Sequence, residues 1–386
     1  MEVGLLFTGV ALPLEAAQNH LEKDISAKQL KHNSTSWSKV TCINGGDGWS
    51  GSRHSTERGR AMELVVRKAV AALVVSVVVT LVRVEAQLVV GYYEQNGCPM
   101  AEEIVKKVLT AAVARDQSIA ASLLRLHFHD CFVQGCDGSV LLDPQNGFPA
   151  TEKQAVPNFS LRGYNLVDAI KQALEQACPE TVSCADILAI AARDAVSLSG
   201  GGTWPVETGR RDGVISLRTE AENLLPPTNE NSEVLTQRFL DVGLTQDEMI
   251  TLSGAHTIGR AHCVSFSQRL YNFSPEFDTD PNLDAAYAGK LKQACPRNFD
   301  PRTVVPLDPV TPSQFDNRYY SNLVNNMGLM ISDQTLHSDM LTQFSSESNA
   351  EDENMWQFKF ANAMVRMGAI NVKAEGEIRK NCRLRN

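Results

Sequence analysis

The chain has 386 residues, 43% of them apolar and 21% charged, with a formal net charge of −9. That is enough apolar material for a large packed core and rules out a chain disordered throughout. The acidic balance excludes the clustered Lys and Arg of a nucleic-acid binder, and a mean hydropathy of −0.19 excludes a polytopic membrane protein.

Residues 1–86 carry 10 basic and 8 acidic side chains against 26 and 37 in residues 87–386, so the later part is the acidic body. Residues 1–61 are polar and aperiodic, either an upstream extension of a start at Met62 or a disordered leader. Met62 to Lys68 is a short basic start, and the 14 residues Ala69 to Val82 are interrupted only by Ser76 and Thr80. A spanning helix needs about 20 apolar residues. The run ends in Val84-Glu85-Ala86, a small-x-small site, so residues 62–86 read as a signal peptide and Gln87 as the mature N-terminus. An uncleaved anchor is the alternative.

Residues 87–386 read as one mostly helical unit. Apolar residues recur at spacings of three and four over 101–113, and further helices are expected at 118–131, 163–177, 183–198, 232–241, 246–252, 257–271, 281–293, 316–326, 335–342 and 352–367. Gly200-Gly-Gly202, Pro226-Pro227 and Pro281, Pro296, Pro301, Pro306 and Pro312 punctuate them, and no long strand pattern or internal repeat is present. Cys42 lies in the leader; the other eight cysteines (98, 131, 136, 178, 184, 263, 295, 382) follow Gln87, an even set that implies disulfides in an oxidising compartment. Eight cysteines allow 105 connectivities. No C-x-x-C occurs to suggest a zinc cluster.

Chemistry is densest in the run Ala121 to Ser139. On a helix Arg125 and His129 are i and i+4 and share a face, while His127 points away. A cation beside a proton acceptor can take a proton from a substrate, return it to a leaving oxygen and stabilise the charge between. Ordinary surface residues, or an H-x-H metal pair of His127 and His129, are the competing readings.

The same run resembles the distal segment of the secreted plant, or class III, haem peroxidases. Leu252-Ser-Gly-Ala-His256-Thr-Ile-Gly259 resembles their proximal segment, and Phe315-Asp-Asn-Arg-Tyr-Tyr320 with Gly328-Leu-Met-Ile-Ser-Asp333-Gln334 a third. The resemblance covers essentially all of 87–386. It implies a mainly α, two-lobed fold with haem between the lobes and little β. It implies His256 as haem-iron ligand with Asp333 accepting its other ring N–H, and Arg125, His129 and Asn158 as the catalytic set, Asn158 holding the His129 ring. Asn158-Phe-Ser160 is also a glycosylation triplet; Asn272-Phe-Ser274 is the better glycan candidate. Phe128 would wall the distal pocket, and the Pro226 carbonyl would bind phenolic donors.

Two calcium ions complete the implied cofactors. A bridge between Cys131 and Cys136 would hold Asp130, Asp137, Ser139 and the carbonyls of Val133 and Gly135 around a hard cation, with Glu152 joining through water. The second set is Thr257, Asp308, Thr311, Gln314 (by its carbonyl) and Asp316; helix caps and solvated loop charges are the plainer reading of these acids. The implied disulfides are Cys98–Cys178, Cys131–Cys136, Cys184–Cys382 and Cys263–Cys295, with Cys42 unpaired, and Asp186–Arg210 is an implied buried ion pair. Leu307 replaces an aromatic found at that position in some members, and Val372-Lys-Ala-Glu-Gly376 a more glycine-rich turn. The implied enzyme is a donor:hydrogen-peroxide oxidoreductase that reduces peroxide to water and oxidises phenols by single electrons. It would be monomeric, without nucleic-acid or, once cleaved, membrane partners, and would reside in the wall or vacuole, serving peroxide breakdown, oxidative-stress response or lignin cross-linking. The rivals are a calcium-binding wall protein without catalysis and an intracellular relative.

Overall fold

The computed structural model describes residues 88–386, so the leader, Cys42, the apolar run, the cleavage site and Gln87 lie outside the described residues. Strand β1 (Val89–Val90) pairs antiparallel with β2 (Glu207–Thr208), and β3 (Arg260–His262) with β4 (Val304–Pro306), Ala261 opposite Val305. The remaining regular structure is helical.

Helix α1 (Tyr92–Gln95) leads into α2 (Ala101–Val113), which buries Ala101, Val105, Leu109 and Val113 along one stripe, as four-residue spacing requires. Then come α3 (Ser118–Phe132), α4 (Tyr164–Ala177) and α5 (Cys184–Leu198). Helix α5 is buried on every side from Cys184 to Val196, which explains its alanines: only small side chains let neighbours close in all round. Ser183 caps it, its hydroxyl accepting from the Asp186 N–H at 3.1 Å. Helix α3 packs along α5 more extensively than any other pair of elements and is thereby fixed as the platform of the site.

Helices α6 (Arg218–Leu224), α7 (Ser232–Asp241) and α8 (Gln246–Ser253) follow, the last started by a reciprocal Thr245–Glu248 cap. The continuous helix expected over 257–271 is not formed. A 3-10 turn, Gly254–Thr257, carries His256, Gly259 turns the backbone at φ 104°, β3 runs extended against β4, and only α9 (Ser267–Leu270) is α-helical. Strand pairing with a segment some 40 residues on supplies the hydrogen bonds a helix would have made. After α10 (Ala285–Ala294) and α11 (Arg318–Val324), the single helix expected at 335–342 is two, α12 (Ile331–Ser338) and α13 (Met340–Glu351). Asp339 between them is extended and caps the second through Leu341 N–H at 2.9 Å. Helix α14 (Glu353–Gly368) ends the helical part, capped by Asp352.

The helices enclose a large hydrophobic core around α3, α5 and Trp356, and a smaller one of Phe266, Leu270, Tyr287, Leu291, Val305 and Leu329 beside β3 and β4. Disulfides join Cys98 to Cys178, Cys131 to Cys136, Cys184 to Cys382 and Cys263 to Cys295. No helix among the described residues is long and apolar enough to cross a membrane.

Candidate functional site

Helix α3 presents Arg125 and His129 one turn apart. His129 is buried, with Nδ1 2.6 Å from Oδ1 of Asn158. Asn158 ends the 3-10 turn Val156–Asn158, and its amide nitrogen donates to the Glu152 carbonyl at 2.9 Å. In this orientation the amide oxygen can only accept, so the ring proton sits on Nδ1 and Nε2 keeps its lone pair. Burial, then the Arg125 charge, holds the imidazolium pKa well below the usual histidine range against the opposing pull of Asn158, so His129 is a neutral base at neutral pH.

Arg125 donates to the Ser160 hydroxyl and the Pro157 carbonyl, both at 2.9 Å. Surrounding protein pushes its pKa down to about 10, which leaves it cationic at neutral pH. It nevertheless retains exposed surface. Phe128, half-buried, packs against Phe132 with ring centroids 4.3 Å apart and the rings tilted by 41°. His127 lies on the other face, buried near Arg210 with its pKa pushed down to about 3 by burial and then by that charge. Its ring is 3.6 Å from Sγ of disulfide-bonded Cys131, so the two histidines face apart and do not form an H-x-H metal pair.

His256 is held by a different acceptor. Its Nδ1 is 2.7 Å from Oδ1 of Asp333, which also accepts from the Tyr319 hydroxyl at 3.0 Å, while Oδ2 accepts from Met330 N–H at 3.0 Å. Burial alone would raise the Asp333 carboxyl pKa, but the attraction and hydrogen bond of His256, with those of Met330 and Tyr319, outweigh it and hold it below the usual range. The His256 side chain is 37% exposed although its partner is buried. His129 and His256 each have Nδ1 engaged and no hydrogen bond at Nε2 among the described residues, and Arg125 and the half-buried Phe128 stand on α3 with His129, a donor set that suits a flat group which one histidine ligates and the other serves. The residues fit haem on that ground.

Three carboxylates crowd the loop that Cys131–Cys136 closes. Asp130, Asp137 and Glu152 are buried, and Oδ1 of Asp130 and Oε2 of Glu152 have no hydrogen-bond partner among the described residues. Burial raises all three carboxyl pKa values, and the Asp130–Asp137 and Asp130–Glu152 repulsions add to it. Orphaned anionic oxygens at this density fit a divalent cation. Gly135 is obligatory here: its φ is 107°, and a Cβ would stand 2.7 Å from the Asn371 carbonyl. Val133 and Ser139 flank the same loop, buried. On the proximal side the Thr257 hydroxyl donates to Asp316 at 3.1 Å and lies 3.4 Å from the Gln314 carbonyl, and the Thr311 hydroxyl bonds Asp308 and Asp316 at 3.3 and 3.2 Å. This second oxygen-rich cluster joins the residue after His256 to the start of α11.

Pro226 follows α6, half-buried, and its carbonyl accepts no hydrogen bond from the described residues. Leu307 lies beside Gly259, donating to its carbonyl at 3.1 Å, so Tyr319 supplies the aromatic edge near His256, with ring centroids 6.2 Å apart. Asp186 and Arg210 pair at 2.8 Å, both buried. Asn158 is engaged at both ends and buried, whereas Asn272 is exposed.

Two residues that shape the site carry no local sequence signal. Arg379, fully buried, donates to the carbonyls of Gly138 at 2.6 Å and Cys382 at 3.0 Å, and its N–H to Asp212 at 2.9 Å. Arg269, also fully buried, pairs with Asp280 at 2.7 Å and donates to the carbonyls of Gly328, Leu329 and Met330, the turn before Asp333. Tyr319 was visible as part of the Phe315–Tyr320 motif; nothing local marks the two arginines.

The family described as Peroxidase matches residues 105–352. Peroxidase 5 of Vitis vinifera is 49% identical over 79% of this chain and 93% of that protein. Peroxidase 1 of Zea mays is 48% identical over 77% and 83%, and Peroxidase 15 of Arabidopsis thaliana 47% over 76% and 87%.

Proposed function

The chain belongs to the class III family of plant peroxidases, enzymes that use hydrogen peroxide as oxidant and haem as cofactor, and we propose that His129 and His256 divide the work of that chemistry between them. One observation supports the division. Both rings are held at Nδ1, His129 by the neutral amide of Asn158 at 2.6 Å and His256 by the carboxylate of Asp333 at 2.7 Å. An amide leaves Nε2 an ordinary base; a carboxylate enriches it as a metal ligand.

Bound haem supplies the two-electron reduction of peroxide and the one-electron oxidation of donors. Nε2 of His129 takes a proton from one peroxide oxygen and returns it to the other, so that water leaves. Arg125, fixed by Ser160 and Pro157, holds its charge against the negative charge that develops between those steps. Phe128 narrows the approach for bulky molecules. Small phenolic donors dock outside it, their hydroxyl meeting the Pro226 carbonyl.

The two oxygen clusters are read as calcium sites: Asp130, Val133, Gly135, Asp137, Ser139 and water-linked Glu152 in one, Thr257, Asp308, Thr311, Gln314 and Asp316 in the other. The orphaned oxygens of Asp130 and Glu152 support the first. The disulfides support secretion, since such bonds persist in oxidising compartments. Cell wall or vacuole, a monomeric state and a part in peroxide breakdown and wall cross-linking complete the reading.

The test is an absorption spectrum of protein folded with haem and calcium. A Soret band that shifts with peroxide and recovers with guaiacol supports the function; its absence in folded protein rejects it. His129→Ala should keep haem and react slowly, and His256→Ala should lose haem; the reverse pattern would exchange their roles.

A further inference from the structure

Hydrogen bonds are unevenly divided over Asp333. Oδ2 accepts from Met330 N–H at 3.0 Å, whereas Oδ1 serves two side chains, Nδ1–H of His256 at 2.7 Å and the Tyr319 hydroxyl at 3.0 Å. Asp333 is 2% and Tyr319 3% exposed, so bulk water does not reach the shared oxygen. Two donors on one carboxylate oxygen draw on the same negative charge, and each weakens what the other receives.

The Tyr319 hydroxyl is tied to the turn that carries its competitor. Tyr319 lies in α11, and Asp316 just before that helix accepts from the hydroxyl of Thr257, the residue after His256, at 3.1 Å. The next residue, Tyr320, donates to the carbonyls of Ile250 and Thr251 in α8 at 2.8 and 3.0 Å, pinning α11 to the helix that leads into the His256 turn. The phenol ring meets the imidazole edge-on, at 77°.

We propose that Tyr319 is a positioning residue that limits how strongly Asp333 draws on the Nδ1 proton of His256, and so sets the donor strength of Nε2 toward haem iron. The proposal rests on the reading of His256 as the iron ligand. With the hydroxyl present, His256 stays closer to a neutral imidazole. Without it, the whole charge of Oδ1 falls on Nδ1–H and the ring gains imidazolate character.

The test uses the full chain as holoenzyme in two forms, Tyr319→Phe and a protein with 3-fluorotyrosine at position 319, whose hydroxyl is a stronger donor. The readouts are the Fe(III)/Fe(II) midpoint potential and, in the ferrous protein, the iron–imidazole stretching frequency by resonance Raman. Tyr319→Phe should move the potential to more negative values and the stretch to higher frequency, and fluorotyrosine should move both the opposite way. Unchanged values in both proteins, or shifts of the same sign in both, overturn the proposal. Should Tyr319→Phe fail to fold, the fluorotyrosine protein, which keeps shape and bond, decides alone. A wild-type ferrous protein without any iron–imidazole stretch, or an Asp333→Asn protein whose stretch is unchanged, overturns the assignment of His256 instead.

Discussion

Asn158 accepts from Nδ1–H of His129 at 2.6 Å, and both side chains are buried. The bond fixes which nitrogen is free, and burial with the nearby Arg125 keeps that nitrogen unprotonated well below the usual histidine pKa. An unfolded histidine takes up its proton near pH 6.5. The folded ring therefore stays an unprotonated base below that pH, down to its own depressed pKa, whereas its share of stability is whole above about pH 6.5 and declines as pH falls from there toward the folded value.

From this follows a rate of reaction with peroxide that stays flat from pH 8 to well below the ordinary histidine pKa of about 6.5, with loss only in more acid solution. Asn158→Asp places a charge behind the ring, raises its pKa and moves the acid limb upward, slowing the reaction at pH 6 by about tenfold or more. Stopped-flow rates across pH check this. Identical acid limbs in the two proteins would contradict it.

Arg125→Leu removes the cation and spares the base. The peroxide reaction should slow by roughly 10²–10³ with haem retained, and the acid limb should move up, because the Arg125 charge is one cause of the depressed His129 pKa. A rate within a factor of two of wild type would remove Arg125 from the mechanism.

Chelating calcium should both destabilise and slow the enzyme. A ligand at 100 times its dissociation constant contributes about 2.7 kcal/mol, so thermal unfolding after chelator treatment should shift down and recover on calcium addition. The rate should fall too, because Glu152, in the orphaned carboxylate group, positions Asn158 through its carbonyl at 2.9 Å. Calorimetry beside stopped flow separates the effects; a loss of stability without a loss of rate would sever that link.

Arg269→Met leaves Asp280 buried without its counter-charge and three carbonyls without a donor, at a cost of about 3–5 kcal/mol. Adding Asp280→Asn should restore part of it. Denaturant unfolding of the single and double variants measures the difference, and equal destabilisation would mean that the ion pair is not what the arginine supplies.

Helices that carry their own pattern were legible: α2 matches the expected 101–113, and α5 differs from its expected span by one residue. The stretch 257–271 misled because its apolar spacing suits a helix while its hydrogen bonds go to β4, a partner no local pattern reveals. Asn158, His129 and Glu152 were named from motifs, and the structure strings them together within hydrogen-bonding reach. Arg379 stayed hidden because its meaning lies in carbonyls more than 240 positions away, and a lone arginine near a chain end looks like any other surface charge.

That same arginine makes the chain's last few residues part of its working parts. Loss of everything from Arg379 onward would take the clasp off the Gly138 carbonyl and the Cys382 half of the long disulfide in one stroke. A product cut there by a protease would lose its hold on the loop that carries Asp137, so damage at a point distant in sequence would be felt beside Asp130.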